Sequence, residues 1–147
     1  MKVLFMCTAN SCRSQMAEAW ARSRFPAQWH VASCGLVTSP IAEETRAVMA
    51  EAGCDLTGQR SKSLDELDLE AYDLVVTLSD TAARFLPRLG RPERHVHRPV
   101  PDPTGARGSR EDVLDAYRAG RDAILRLVED VAAGRLVGDH AEDGAGP

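Results

Sequence analysis

Residues 2–20 read KVLFMCTANSCRSQMAEAW, and this stretch decides the fold. After Lys2 the run VLFM is short and unbroken by polar residues, as in a parallel strand covered on both faces. A helical pattern begins near Arg13: Met16, Trp20 and Phe25 return near one face, with Ala17 and Ala19 filling between them. The order is strand, short loop, helix. One thiol, Cys7, stands at the end of the strand, and one guanidinium, Arg13, at the start of the helix.

The same alternation continues along the chain. HVASCGL (residues 30–36) reads as a second strand. SPIAEETRAVMAEAG reads as a helix with Ser39 as cap, Pro40 in its first position and Gly53 just past its end. SLDELDLEAY predicts a short helix, DLVVTLS (73–79) a third strand, and DTAARFLPRL a short helix stopped by Pro87. RHVHRPV reads as a short fourth strand, and PDPTGARG as a loop. From Ser109 onward, Val113, Leu114, Tyr117, Ile124, Leu127, Val128 and Val131 recur at helical spacing. Strands alternating with helices predict a three-layer α/β fold: a four-stranded parallel sheet, right-handed crossovers and helices on both faces. Ligands of such sheets bind beyond the carboxyl ends of the strands, where Cys7 and the loop around Asp102 fall.

A chain of 147 residues, 44% apolar and 27% charged, suits one globular domain, here 1–137. Residues 138–147 have no apolar pattern and read as a mobile tail. The net charge of −4 and the few scattered aromatic residues argue against a nucleic-acid partner. No apolar stretch is long enough to cross a bilayer, and VLFM is too short for a secretory signal. The expectation is a cytoplasmic monomer whose cysteines, Cys7, Cys12, Cys34 and Cys54, are reduced.

A loop between a strand and a helix start turns backbone N–H groups inward and makes a nest for an anion. Arg13 can offer its planar fork to two oxygens of a tetrahedral oxyanion. The same field favours a thiolate at the end of the strand. Thr8, Ala9, Asn10, Ser11 and Cys12 form the cradle; Ser14 can donate to the thiolate, and Asn10 can pin the loop. The spacing alone is equally compatible with a buried structural Cys7 beside a surface Arg13; the strand-loop-helix context favours the cradle. Asp102, in a proline-rich loop at the same sheet edge, can protonate a leaving oxygen or simply start a turn before Pro103.

CTANSCRSQMAEAW resembles the active-site signature of the low-molecular-weight protein tyrosine phosphatase superfamily, in particular its arsenate reductase branch. ASCGL, LVVTLS and VPDP continue the resemblance in order, up to the last helix. It implies Cys7 as nucleophile, Arg13 as oxyanion clamp, Asn10 and Ser14 as supports and Asp102 as general acid. Gln15 and Met16 resemble the reductases, where the phosphatases commonly have proline first. Thr104 and Gly105 stand where phosphatases usually carry an aromatic residue, whereas VPDP itself looks more like the phosphatase version. The resemblance therefore implies reduction of arsenate to arsenite through a thio-arsenate adduct on Cys7, with tyrosine phosphatase chemistry as the alternative.

Thioredoxin-coupled members carry a second cysteine just after the third strand and another along the next helix. Here the first position is Ser79, and DTAARFLP has no cysteine. No cofactor is expected, but an external thiol is: a low-molecular-weight thiol or a glutaredoxin-like protein. Cys12 is a possible redox partner of Cys7, which leaves a third class open: a non-enzymatic oxyanion-binding or thiol redox-sensing domain. Some arsenate reductases of this family bind potassium through an asparagine, a glutamate and an acidic residue after the second helix. Asn10 and Glu18 match, but Lys62 takes the acidic position, so no potassium dependence is expected. His95 and His97 lack an evident third partner, so no metal site is expected. The arginines at 84, 88, 91, 94 and 98 read as a solvated surface, or as a patch that steers an anion.

Overall fold

The structure, a computed structural model, describes residues 1–136; the expected tail lies outside them. Four strands, β1 (Lys2–Cys7), β2 (His30–Gly35), β3 (Leu74–Thr77) and β4 (His95–His97), form one parallel sheet in the order β2-β1-β3-β4. Central β1 places Cys7 opposite Gly35 and Met6 opposite both Cys34 and Thr77. This is the expected α/β architecture.

Four helices cover it: α1 (Arg13–Arg24), α2 (Glu43–Glu51), α3 (Asp80–Phe85) and α4 (Arg110–Ala132). One face of the sheet, with Val3, Phe5 and Val76, packs against α1, α2 and α4 through Met16, Trp20, Val48, Ile124 and Val128. The other, with Leu4, Met6, Cys34 and Val75, is closed by Ala82 of α3 and by leucines of the segments around it. Alternation along the strands assigns each residue to one face. α1 is buried on nearly every side from Arg13 to Ala21, so its polar residues Ser14, Gln15 and Glu18 face protein rather than water.

Two expectations are corrected. Ser39 does not cap the second helix, which starts at Glu43 after Ala42. Residues 39–42 stay extended because they strap the first loop: Ser39 N donates to Ala9 O (3.2 Å) and Ala42 N to Ser11 O (3.0 Å). SLDELDLEAY forms two single 3-10 turns, Leu64–Glu66 and Leu69–Ala71, rather than a helix. Ser63 and Glu66 close a capping box on the first, and the Asp68 carboxylate caps the second, so the chain restarts before a helix can propagate.

Candidate active site

Residues 8–12 must turn the chain from β1 into α1, and Asn10 makes the turn. It is the one non-glycine residue with positive φ among the described residues, at 51°. Its amide holds that conformation from both ends. Nδ2 donates to Ser14 Oγ (2.7 Å) and Ser33 Oγ (3.0 Å). Oδ1 accepts from Lys62 N (2.9 Å) and Gln15 Nε2 (2.8 Å). Gly35 lets β2 approach closely: a Cβ there would lie 2.7 Å from Asn10 N and 2.6 Å from Val37 O.

Inside this frame Cys7 Sγ lies 2.8 Å from Ser14 Oγ. Arg13 is aimed by backbone carbonyls: Nη1 donates to Val100 O (3.0 Å) and reaches Leu78 O (3.4 Å). Its Nη2 stands 3.4 Å from Asp102 Oδ2. Asp102 caps the turn Pro103–Gly105, its Oδ1 accepting from Thr104 N (3.0 Å) and Thr104 Oγ1 (2.7 Å). Burial pushes the Asp102 carboxyl up, but the Thr104 hydrogen bonds and the Arg13 charge outweigh it and hold it below its usual range.

Cys7, Arg13, Asp102 and Thr104 share one cavity of about 120 Å³ with the loop residues Thr8, Ala9, Ser11 and Cys12. A roomier cavity of about 280 Å³ at the far end of α1, between Phe25 and Trp29, is lined by no cysteine. The structure thus brings the sequence-derived residues together, with Asn10 and Ser14 fully buried behind the loop. A thiol at the end of a strand, a helix N-terminus and a guanidinium around one small cavity can bind a tetrahedral oxyanion. A carboxyl at its rim can hand over a proton.

Cys12 precedes α1 at its cap position without capping it, and burial pushes its thiol up to about 12. Cys34 is likewise pushed to about 12 by burial, and no disulfide joins any of the four cysteines.

Three polar residues have roles here that the sequence reading does not give them. Ser33, on β2, donates to Glu18 Oε1 at 2.6 Å while holding Asn10. Thr104 anchors Asp102. Gln59 donates to Gln15 Oε1 (2.8 Å), tying the segment after α2 to α1. Only Thr104 had a signal, as a hydroxyl two residues after an aspartate in a proline turn.

His95 and His97 are engaged within the fold. Thr77 Oγ1 lies 2.8 Å from both His95 Nε2 and His97 Nδ1, and His97 Nε2 lies 2.8 Å from Asp80. Among the described residues no three His, Cys, Asp or Glu side chains converge as a metal-ligand group. No described helix is long and apolar enough to cross a membrane. Arg94 is not on the solvated surface: it is buried, donates to Tyr72 O (2.6 Å) and pairs with Glu70.

Residues 2–137 match the family model for low molecular weight phosphotyrosine protein phosphatase. The chain is 35% identical over 130 residues to the arsenate reductase of Halalkalibacterium halodurans, covering 88% of this chain and 94% of that protein. It is 33% identical over 132 residues to the glutaredoxin arsenate reductase of Synechocystis sp., covering 90% and 96%. An arsenate reductase solved in its phosphate-binding state superposes with a TM-score of 0.79 at 32% identity, over 90% of this chain and 97% of that one. The low molecular weight protein tyrosine phosphatase from T. tengcongensis superposes with a TM-score of 0.75 at 28% identity, over 89% and 97%.

Proposed function

The chain belongs to the low molecular weight phosphotyrosine protein phosphatase family of enzymes, and on that premise we propose that it reduces arsenate to arsenite at Cys7. The observation that carries the reading is the size and lining of the cavity. About 120 Å³ suits a bare tetrahedral oxyanion, and the turn after Asp102 presents Thr104 and Gly105 rather than a ring to stack on an aryl ester. The relatives from Halalkalibacterium halodurans and Synechocystis, which share most of the chain, are arsenate reductases.

In this reading the loop N–H groups and the Arg13 fork hold arsenate while the Cys7 sulfur, steadied by Ser14, attacks arsenic. Asp102, ionised in the free protein, takes up a proton brought by the arsenate or the Cys7 thiol as the negative oxyanion settles beside it. It passes the proton on as an As–OH bond breaks, so that the departing oxygen leaves as water. A thiol then attacks Cys7 Sγ. The S–As bond breaks, its electron pair stays on arsenic, and arsenite departs as a disulfide forms on Cys7.

The placement of the cysteines supports an external source for that thiol. Cys34 is fully buried in the leucine-lined face of the sheet, whereas Cys7 packs on the opposite face. Cys54 follows α2 and feels the charge of Arg24, at the far end of α1, roughly 16 Å from its start at 1.5 Å per residue. Cys12 is near, but bonding it to Cys7 would deform the loop that holds the oxyanion. A low-molecular-weight thiol or a glutaredoxin-like protein fits best, acting on a cytoplasmic monomer with no bound cofactor.

Phosphatase chemistry through a cysteinyl-phosphate is the second reading. It is favoured by Ser79 in the position of a relay cysteine and by the likeness to the T. tengcongensis enzyme. A non-enzymatic redox sensor that attacks an oxidised Cys7 with Cys12 would need a Cys12 thiolate, which burial opposes. Steady-state arsenite production with a panel of thiol donors, run beside an aryl phosphate hydrolysis assay, separates the three. Aryl phosphate turnover without arsenite would reverse the assignment, and neither activity would leave the sensor.

A further inference from the structure

The 120 Å³ pocket has a neighbour. A groove of about 460 Å³ runs between the start of α3 (Ser79, Asp80) and the strap Pro99–Pro101, and it shares Arg13 and Asp102 with the oxyanion pocket. The Arg13–Asp102 pair therefore borders both cavities. They are also stitched together at the loop, where Thr8 Oγ1 lies 3.1 Å from Ser79 Oγ, one residue from Cys7.

The groove is larger than an oxyanion needs, and its charged groups are unequal. Arg13 is committed to Leu78 O, Val100 O and Asp102. Asp102 is committed to Thr104 and Arg13. Asp80 is 88% exposed, with His97 Nε2 2.8 Å from its Oδ1. A ligand lying there meets proline rings, the Ser79 hydroxyl and one carboxylate able to take a cation.

We propose that this groove seats the electron donor, and that the donor is a small thiol bearing an ammonium group, which Asp80 receives while its sulfur points past Arg13 toward Cys7. The inference rests on the external-thiol reading above. The reaction balances with two donor molecules. The first thiolate attacks Cys7 Sγ, the S–As pair goes to arsenic, and arsenite leaves a mixed disulfide on Cys7. The second attacks the outer sulfur of that disulfide, releasing the Cys7 thiolate and the oxidised donor. Arsenate is reduced by two electrons, and two thiols become one disulfide.

The test uses thiol–disulfide exchange, which reads the groove without arsenate. Rates of Cys7 modification by cystamine, which is cationic, and by dithiodipropionate, which is anionic, are measured by mass spectrometry on the full chain. Asp80→Asn should lower the cystamine-to-dithiodipropionate rate ratio about tenfold, whereas Glu129→Gln, near the end of α4 and outside the groove lining, should leave it unchanged. A ratio unmoved by Asp80→Asn, or moved equally by both substitutions, overturns the groove assignment. Arsenite production with cysteamine against 3-mercaptopropionate follows the same variants. If no small thiol supports turnover, the groove does not seat the electron donor, whatever the exchange ratio; if a glutaredoxin-like protein fails as well, the external-thiol reading has failed with it.

Discussion

Lys62 Nζ stands 3.6 Å from Glu18 Oε1, an ammonium beside a carboxylate that is 2% exposed. Ser33 donates to the same oxygen, and Arg22 pairs with the other. Glu18 thus has its countercharge within the chain, and through Ser33 the cluster supports Asn10 and the loop. Replacing sodium by potassium at constant ionic strength should change neither the melting temperature nor kcat/KM for arsenate. Lys62→Met should cost about 1–3 kcal/mol, the range for a buried group left short of a partner. Lys62→Asp should create a potassium dependence where the parent has none. A potassium response in the parent would contradict the assignment.

Asp102 gives a pH prediction. The Thr104 hydrogen bonds and Arg13 lower its carboxyl against the opposing effect of burial, so it is ionised at neutral pH in the free protein. The sign follows from linkage: a depressed folded value contributes stability above the unfolded carboxyl range, and this is lost as pH falls through the lower folded value. Thr104→Val removes the hydroxyl bond. The titration midpoint of the Asp102 carboxyl, followed by ¹³C NMR, should rise in that variant. An unmoved midpoint would mean that Thr104 does not tune the acid.

The loop makes a third. Cys7→Ser should abolish covalent chemistry yet retain oxyanion binding, because the backbone N–H groups and Arg13 remain. Arg13→Ala should weaken both. Gly35→Ala should weaken binding without touching the anion, since its Cβ would sit 2.7 Å from Asn10 N and 2.8 Å from Ala9 C, both backbone atoms. Overpacking of this kind costs roughly 1–3 kcal/mol. Calorimetric titration with phosphate would measure all three, and full affinity in Arg13→Ala would remove it from the cradle.

These residues also show where sequence reasoning reaches and where it stops. Cys7, Arg13 and the loop between them were legible because strand, turn and helix are local signals and the chemistry sits at their junction. Asp102 was legible only through resemblance, since an aspartate before proline starts many turns. Ser39 looked like a helix cap by every local rule. Two carbonyls of the first loop, Ala9 O and Ser11 O, take the N–H groups of its segment instead, and nothing local announces that pairing. Ser33 is one small hydroxyl in a strand, and only the register that lays β2 against β1 makes it part of the site. The break between Leu64–Glu66 and Leu69–Ala71 was readable, because Asp68 is a second cap signal inside the expected helix.

The acid step can be isolated from the electrons. Asp102→Asn should slow formation of the Cys7 adduct by roughly 10²–10⁴-fold, the usual worth of a general acid. A stopped-flow rate unaffected by the change would take Asp102 out of the mechanism.

The origin of the electrons can be decided cysteine by cysteine. Cys34 is sealed in the leucine face, Cys54 follows α2 and feels the charge of Arg24, and Cys12 is buried in the loop with its thiol pushed to about 12. On the external-thiol reading none of the three relays oxidation away from Cys7. Cys12→Ala, Cys34→Ala and Cys54→Ala should each keep turnover with a suitable external donor, the second with some loss of stability because it empties a packed site. After a single turnover, mass spectrometry should find Cys7 joined to the donor, and thioredoxin alone should support little reduction. An internal disulfide, reduced by thioredoxin and abolished together with turnover by one of the three substitutions, would reject the external-thiol route and place the relay at that cysteine.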